Sequence, residues 1–214
     1  MGIGIADIRR DYKLQSLNEA DIASSPIEQF TSWWDEAIAS NIDEVNAMTL
    51  ATATADGKPS ARIVLLKGYN DEGFTFFTNY NSHKGQQIAN NSFVALVFFW
   101  KELERQIRIE GSIERVSDAD SDAYFYSRPT GSKIGAWSSP QSNIIPNREV
   151  LETNELQFKE QFGEHIPRPT HWGGYIVKPN LIEFWQGRSS RLHDRIEYVK
   201  NKITDIWQIS RLAP

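Results

Sequence analysis

Four short stretches bring together residue types suited to holding anions. Thr78 and Ser82-His83-Lys84 stand at the start of a short segment ending near Asn90. A helix beginning there offers unpaired N–H groups and a partial positive charge, to which Lys84 adds a full charge and Ser82 a hydroxyl. The plainer alternative is a capped surface helix. The run Arg62-Ile63-Val64-Leu65-Leu66-Lys67 reads as a strand bracketed by two cations. On a regular strand Arg62 and Lys67 have opposite parity and face opposite sides. Either it is a core strand with charged ends, or its faces or end meet anionic groups. Tyr124-Phe-Tyr-Ser-Arg128-Pro-Thr-Gly-Ser132 sets an arginine and a serine beside a glycine. Guanidinium grips phosphate with two prongs, although Arg before Pro equally suits a helix C-terminus. Last, Trp185 precedes Arg191-Leu192-His193-Asp194-Arg195. If this segment is extended, Arg191, His193 and Arg195 share a face and Asp194 takes the other. Without acids on that face the three repel one another unless an anion joins them.

Other chemistries find no footing. Cysteine is absent, which excludes thiolate catalysis, disulfides and cysteine-ligated metal sites. His83, His165, His171 and His193 lack HxxxH or HExxH spacing, so no metal is expected. There is no nucleophile elbow of the GxSxG kind and no GxGxxG after a strand. The formal net charge of −5 disfavours nucleic-acid binding. The longest apolar run, Phe93 to Trp100, is far short of the roughly 20 residues of a membrane helix. The first residues lack a signal-peptide apolar region, and Ala6 stands where a myristoylation signal wants Ser or Thr. The expectation is a soluble, unanchored cytoplasmic protein.

The elements that must position these residues follow from periodicity. With 214 residues, one domain with additions is the default. Residues 1–24 show no strong period and read as a mobile arm, with 25–214 as a single domain. Ser25, Pro26 and Glu28 signal a helix start. Ile27, Phe30, Trp33, Trp34, Ala37 and Ile38 give that helix an apolar face. The period then changes to two. Strands are expected over 47–54, 60–67, 74–78, 93–100 and 105–116, with Asp56-Gly57 as a tight turn. The run 93–100 is apolar throughout and implies cover on both faces. Helices are expected over 82–90, 119–127 and 148–162, with a Ser-, Gly- and Pro-rich loop between the last two. Short strands over 175–177, 181–185, 195–199 and 207–211 end the chain. Many short strands joined by turns argue for an antiparallel barrel or sandwich with helices at its edges.

Taken in order, the segments resemble the pyridoxine/pyridoxamine 5′-phosphate oxidase family. The resemblance rests on RIVLLK at 62–67, FT at 77–78, SHKG at 82–85, RQIRIEG at 105–111 and YFYSRPTGS at 124–132. It continues through IGAWSSPQS at 134–142, FWQGRSSRLHDR at 184–195 and WQISRLAP at 207–214, and covers the chain from about Arg9. It implies an antiparallel Greek-key split β-barrel, mainly β with added helices, that forms a homodimer and binds FMN. It implies FMN contacts at Arg62, Ile63, Val64, Leu65, Leu66, Lys67, Phe77, Thr78, His83, Lys84, Gln106, Gln141, Ser142, Trp185 and Arg195. It implies substrate contacts at Arg9, Tyr12, Lys67, Tyr124, Arg128, Ser132, Arg191 and His193, the last two catalytic. Two departures stand out. His83 replaces a usual arginine on the FMN phosphate, and Phe77 replaces a frequent tyrosine.

The activity implied is oxidation of pyridoxamine or pyridoxine 5′-phosphate, with oxygen reduced to hydrogen peroxide. One alternative is a related split-barrel flavin oxidase acting on another ring, such as a phenazine precursor. Lys67, Arg128 and Ser132 together favour a phosphorylated substrate instead. The other is a non-catalytic module that binds flavin or pyridoxal phosphate.

Overall fold

The computed structural model describes residue 5 and residues 11–214. Arg9, one of the expected substrate contacts, lies outside the described residues. In chain order the elements are α1 (Pro26–Ala39), β1 (Ala47–Ala53), β2 (Pro59–Leu65), β3 (Gly68–Asn70) and β4 (Gly73–Asn79). Then come α2 (His83–Asn90), β5 (Phe93–Trp100), β6 (Arg105–Arg115), α3 (Asp118–Ser127), α4 (Thr130–Ser138) and α5 (Glu149–Phe162). The last are β7 (Trp172–Gln186), β8 (Asp194–Lys200) and β9 (Trp207–Arg211). The strands hydrogen-bond in the order β2-β1-β5-β6-β7-β4-β3, with β8 on β7 and β9 on β8. The chain divides into two compact units: Met1–Thr49, Ala95–Glu110 and Pro179–Pro214, and Leu50–Val94 with Gly111–Lys178.

In the first unit, α1 starts as its sequence dictates. The Ser25 side chain accepts from the Ile27 N–H, and Pro26 occupies the first turn. Phe30, Trp33 and Ala37 are buried at helical spacing. Trp33 meets Phe184 edge-on at 5.2 Å, and Phe30 meets Phe98 at 5.5 Å. Ile38 falls outside this stripe and is exposed. Residues 11–24 form no helix or strand. The Glu104 carboxylate nevertheless accepts from the Lys13 and Leu14 N–H groups at 2.9 and 3.1 Å. Leu17 is buried, and its N–H reaches Asp194 at 3.0 Å.

In the second unit, Phe74 and Phe76 on β4 are buried, and β4 pairs antiparallel with β7 from Phe74↔Val177 to Asn79↔Trp172. Beside them Phe125, Ile134, Ile166 and Trp172 form a buried cluster. These positions fix where the following site residues stand.

Three local expectations are corrected. The two short strands at 175–177 and 181–185 are one 15-residue strand, β7. Pro179 reads as a break. It lies between the ladder to β4, which ends at Val177, and the ladder to β8, which begins at Leu181, where a missing N–H costs little. The loop expected after Arg128 contains α4. Its composition is poor for a helix, but Ile134 and Ser138 are buried one turn apart, and tertiary packing outweighs propensity. Finally, the single chain covers only one face of β5: Phe93 is 69% exposed and Phe99 54%.

Candidate functional site

A cleft of about 660 Å³ lies in the second unit. Ile63, Val64, Leu65, Lys67, Phe77, Thr78, Lys84, Tyr124, Arg128, Ser132 and Gln141 all line it, so eleven of the expected site residues meet there. Three pieces of local structure bring them together.

The first is the start of α2. The Ser82 hydroxyl accepts from the Gly85 N–H at 3.3 Å and donates to the Asn79 carbonyl at 2.7 Å. Gly85 is forced by space, since a Cβ there would lie 2.0 Å from the Tyr80 carbonyl oxygen. Lys84 thereby sits in the first turn. Its ammonium donates to Thr78 Oγ1 at 2.9 Å and to Gln141 Oε1 at 3.1 Å. Burial, with Arg62 nearby, pulls the Lys84 pKa down to about 8.

The second is the β1–β2 hairpin. Gly57, at φ 86°, closes its turn with an N–H bond to the Thr54 carbonyl. On β2, Ser60, Arg62 and Val64 share the half-buried parity, while Ile63 and Leu65 are exposed. Leu66 is buried beyond the strand end. Arg62 donates to the Leu50 carbonyl at 3.2 Å and to the hydroxyls of Thr52 and Ser60. Burial lowers its pKa.

The third is the α3–α4 corner. Phe77 stacks on Tyr124 at 4.0 Å and lies nearly parallel to Trp172 at 5.7 Å. The Arg128 guanidinium sits 4.5 Å over the Trp172 ring. Its Nη1 is buried and has no hydrogen-bond partner among the described residues.

The charge pattern is informative. Several other cations of this unit have carboxylates: Arg168 pairs with Asp118 and Asp122, Lys178 with Glu114 and Lys159 with Glu155. Lys84 and Arg128, which line the cleft, and Arg62, which does not line it but is felt at Lys84, meet only neutral partners among the described residues. Desolvated cations without counter-charge are costly, and a phosphate satisfies them. The residues present therefore fit a phosphorylated ligand. His83 is exposed at the first position of α2, and Ser142 is exposed with φ 73°.

The remaining expected residues belong to the first unit. Tyr12, Trp185 and His193 form an aromatic group, with Trp185 4.5 Å from His193 and Tyr12 5.8 Å from Trp185. Gly187 permits this, since a Cβ there would lie 2.7 Å from the Tyr12 ring. His193 Nδ1 accepts from the Arg188 N–H at 3.0 Å, so the neutral ring carries its proton on Nε2. Burial and the Arg191 charge lower the His193 pKa. Arg191 is not on an extended strand. It ends a short turn in which both Ser190 and Arg191 have positive φ, 56° and 62°, a costly backbone for such residues. Arg195 does have an acid on its face. Glu183, on the neighbouring β7, accepts from Arg195 Nε at 2.7 Å and Nη2 at 3.1 Å, and also from Arg108. Gln106 is half-buried on β6, on the face that carries Arg108.

Sequence reasoning missed Trp172, Thr52, Gln87 and Glu183. Thr52 had a signal: it is the polar end of the inward row Met48, Leu50, Thr52. Gln87 follows Lys84 by three residues and so shares its helix face.

Comparison with known proteins follows the same lines. The family model described as pyridoxamine 5′-phosphate oxidase matches residues 34–161. That described as the pyridoxine 5′-phosphate oxidase C-terminal dimerisation region matches residues 172–214. The pyridoxine/pyridoxamine 5′-phosphate oxidase of Cupriavidus metallidurans is 59% identical over 210 residues, covering 98% of this chain and 99% of its own. That of Trichormus variabilis is 56% identical over 211 residues, covering 98% of each. Among solved structures, PhzG from Burkholderia lata in complex with tetrahydrophenazine-1-carboxylic acid has a TM-score of 0.88 at 28% identity, over 94% of this chain and 99% of that one. An FMN-binding protein from Nostoc punctiforme, related to pyridoxamine 5′-phosphate oxidase, has a TM-score of 0.71 at 16% identity over 90% of this chain and 100% of that one, a likeness of fold alone. These structures bear out the split β-barrel class, mainly β with added helices.

Proposed function

We propose, from the premise that this chain belongs to the pyridoxamine 5′-phosphate oxidase family, a division of labour among its residues. The protein oxidises pyridoxine or pyridoxamine 5′-phosphate to pyridoxal 5′-phosphate as a homodimeric FMN enzyme. When bound, FMN supplies the acceptor for the hydride leaving C4′ of the substrate, and oxygen takes the electrons onward to give hydrogen peroxide.

The protein's own contribution is binding and orientation. Arg62 and Lys84 hold the flavin phosphate, with Thr78 and Gln141 fixing the Lys84 ammonium. Residues 63–66 and Phe77 lie along the flavin, and Gln106, Ser142, Trp185 and Arg195 contribute further contacts. His83 adds a single hydrogen bond to the flavin phosphate. Lys67, Tyr124, Arg128 and Ser132 hold the substrate phosphate, which carries about −1.5 to −2 charge at neutral pH. Arg191 and His193 orient the C4′ amine or alcohol, and Arg9 and Tyr12 cover the substrate. A neutral His193 bearing its proton on Nε2 offers a donor there without adding charge. Residues 25–214 act as one FMN-binding domain with 1–24 as its arm, and the two family matches, over 34–161 and 172–214, both lie within 25–214. The exposed Ile63, Leu65, Phe93 and Phe99 are apolar surface for a second copy to cover. None of the described helices is long and apolar enough to cross a membrane. With no cysteine to oxidise, we place the protein in the cytoplasm.

One observation carries the choice of a phosphorylated substrate: the buried Arg128 Nη1 without a partner among the described residues. The test compares kcat/KM for pyridoxamine 5′-phosphate and pyridoxamine. A loss on removing the phosphate of roughly a hundredfold or more is expected, from two or more charge-assisted hydrogen bonds. Equal values would assign the cleft to an unphosphorylated ring, as in the phenazine-bound PhzG structure.

A further inference from the structure

Among the described residues Arg62 is held by neutral groups only, and their arrangement has a direction. A guanidinium donates and never accepts. The hydroxyls of Thr52 and Ser60, which accept from Arg62, must therefore send their own protons elsewhere. Both send them to one atom, Oε1 of Gln87, with Ser60 at 2.7 Å. Oε1 also lies 3.5 Å from Arg62 Nη2. Gln87 and Thr52 are buried, so water does not compete for these bonds. The amide orientation is fixed by the same logic: its NH2 turned toward the hydroxyls would leave two hydroxyl protons without acceptors.

We propose that Gln87 is a positioning residue for the anion site. Its carbonyl aligns the Thr52 and Ser60 hydroxyls so that their lone pairs hold the Arg62 guanidinium, while its neutrality leaves the arginine's charge for the ligand phosphate. This rests on the reading that Arg62 and Lys84 hold that phosphate.

The residue type is specific. Glutamate has the same shape, but its carboxylate would pair with Arg62 and cancel the charge. Leucine would leave the two hydroxyl protons without an acceptor and the hydroxyls free to turn away from Arg62. Gln87 also sits one turn beyond Lys84 on α2, so one helix carries the second cation and the holder of the first. The Arg62 charge is felt at Lys84, whose pKa it helps to lower.

The test titrates the flavin-free protein with FMN and with riboflavin, which lacks the phosphate, following flavin fluorescence. Gln87→Glu should keep its melting temperature or raise it and weaken FMN binding roughly 10- to 150-fold, the equivalent of one charge-assisted contact. Its riboflavin affinity should stay within about twofold. If that variant fails to fold, Thr52→Val gives the same test with a smaller effect, about two- to tenfold on FMN alone. An unchanged FMN affinity in a folded Gln87→Glu, beside a loss in Arg62→Gln, would overturn the role of Gln87. Equal losses for FMN and riboflavin would overturn it too, as a general packing effect. An unchanged FMN affinity in Arg62→Gln would overturn the phosphate reading itself, and the inference with it.

Discussion

Replacing Arg128 by methionine should separate function from stability. In the substrate-free protein the guanidinium sits over Trp172, with Nη1 buried and unpartnered among the described residues. Leaving a buried donor unsatisfied costs about 1–3 kcal/mol. The side chain is only half-buried, so the lower end applies, about 1 kcal/mol. Against that, the contact with Trp172 contributes about 0.5–1 kcal/mol. Methionine keeps the packing of the aliphatic stem and meets the aromatic ring favourably. The two terms nearly cancel, so stability should change by no more than about 0.5 kcal/mol. At this chain length that moves Tm by about 2 °C or less. Binding behaves differently. A charge-assisted contact to phosphate is worth about 1.5–3 kcal/mol, so KM for pyridoxamine 5′-phosphate should rise roughly 10- to 150-fold. The assays are a thermal melt of the flavin-loaded protein and steady-state kinetics on the phosphorylated and unphosphorylated amines. A Tm lowered by several degrees with KM unchanged would refute the reasoning and make Arg128 a structural residue.

Four further outcomes are expected. Because the Lys84 pKa is lowered to about 8, FMN affinity should fall by at most roughly tenfold between pH 7 and pH 9, and Lys84→Arg should flatten that profile in a fluorescence titration. The same shift makes the flavin-free protein gain stability as pH rises from about 8 toward 10.5, since the unfolded lysine holds its proton longer; denaturation midpoints across that window check the sign. Glu183 is 3% exposed, and although burial pushes its carboxyl up, Arg195 and Arg108 outweigh this and hold it below the usual range. Its contribution is therefore present above the unfolded pKa and lost as pH falls through the folded one, so Glu183→Gln should cost about 3 kcal/mol at neutral pH and flatten the acid side of the stability curve. Gly85→Ala should destabilise by about 1–3 kcal/mol or more in a urea titration and loosen FMN binding, because the new methyl group meets the Tyr80 carbonyl.

What the sequence disclosed and what it hid have physical causes. Signals confined to neighbouring residues were legible. Ser25-Pro26 and Ser82 marked helix starts, Asp56-Gly57 marked the hairpin turn, and period-two burial on β1 followed its alternation. The ends of β8 and β9 were found within a residue or so for the same reason. Features that depend on distant residues were not. Nothing near Thr130–Ser138 predicts α4, because that helix is held by Ile134 packing in a cluster with Phe125, Ile166 and Trp172. The acid on the Arg195 face escaped notice because Glu183 is 12 residues away, across the β7–β8 ladder. The shared face of Arg191, His193 and Arg195 held only for an extended segment, and residue spacing says nothing about the two successive positive φ angles at Ser190 and Arg191. In the cleft, the cations were visible in the sequence as types. Their shared lack of carboxylate partners among the described residues became visible only in three dimensions.

The central claim is that this protein moves electrons from a phosphorylated pyridine to bound FMN. The direct measurement is the absorption spectrum of the flavin-loaded protein mixed with pyridoxamine 5′-phosphate under nitrogen. The account predicts that the flavin bands bleach while about one equivalent of pyridoxal 5′-phosphate forms per flavin, and that admitting air restores the bands. Bands that stay fully oxidised with the substrate bound would contradict it and leave only a binding module.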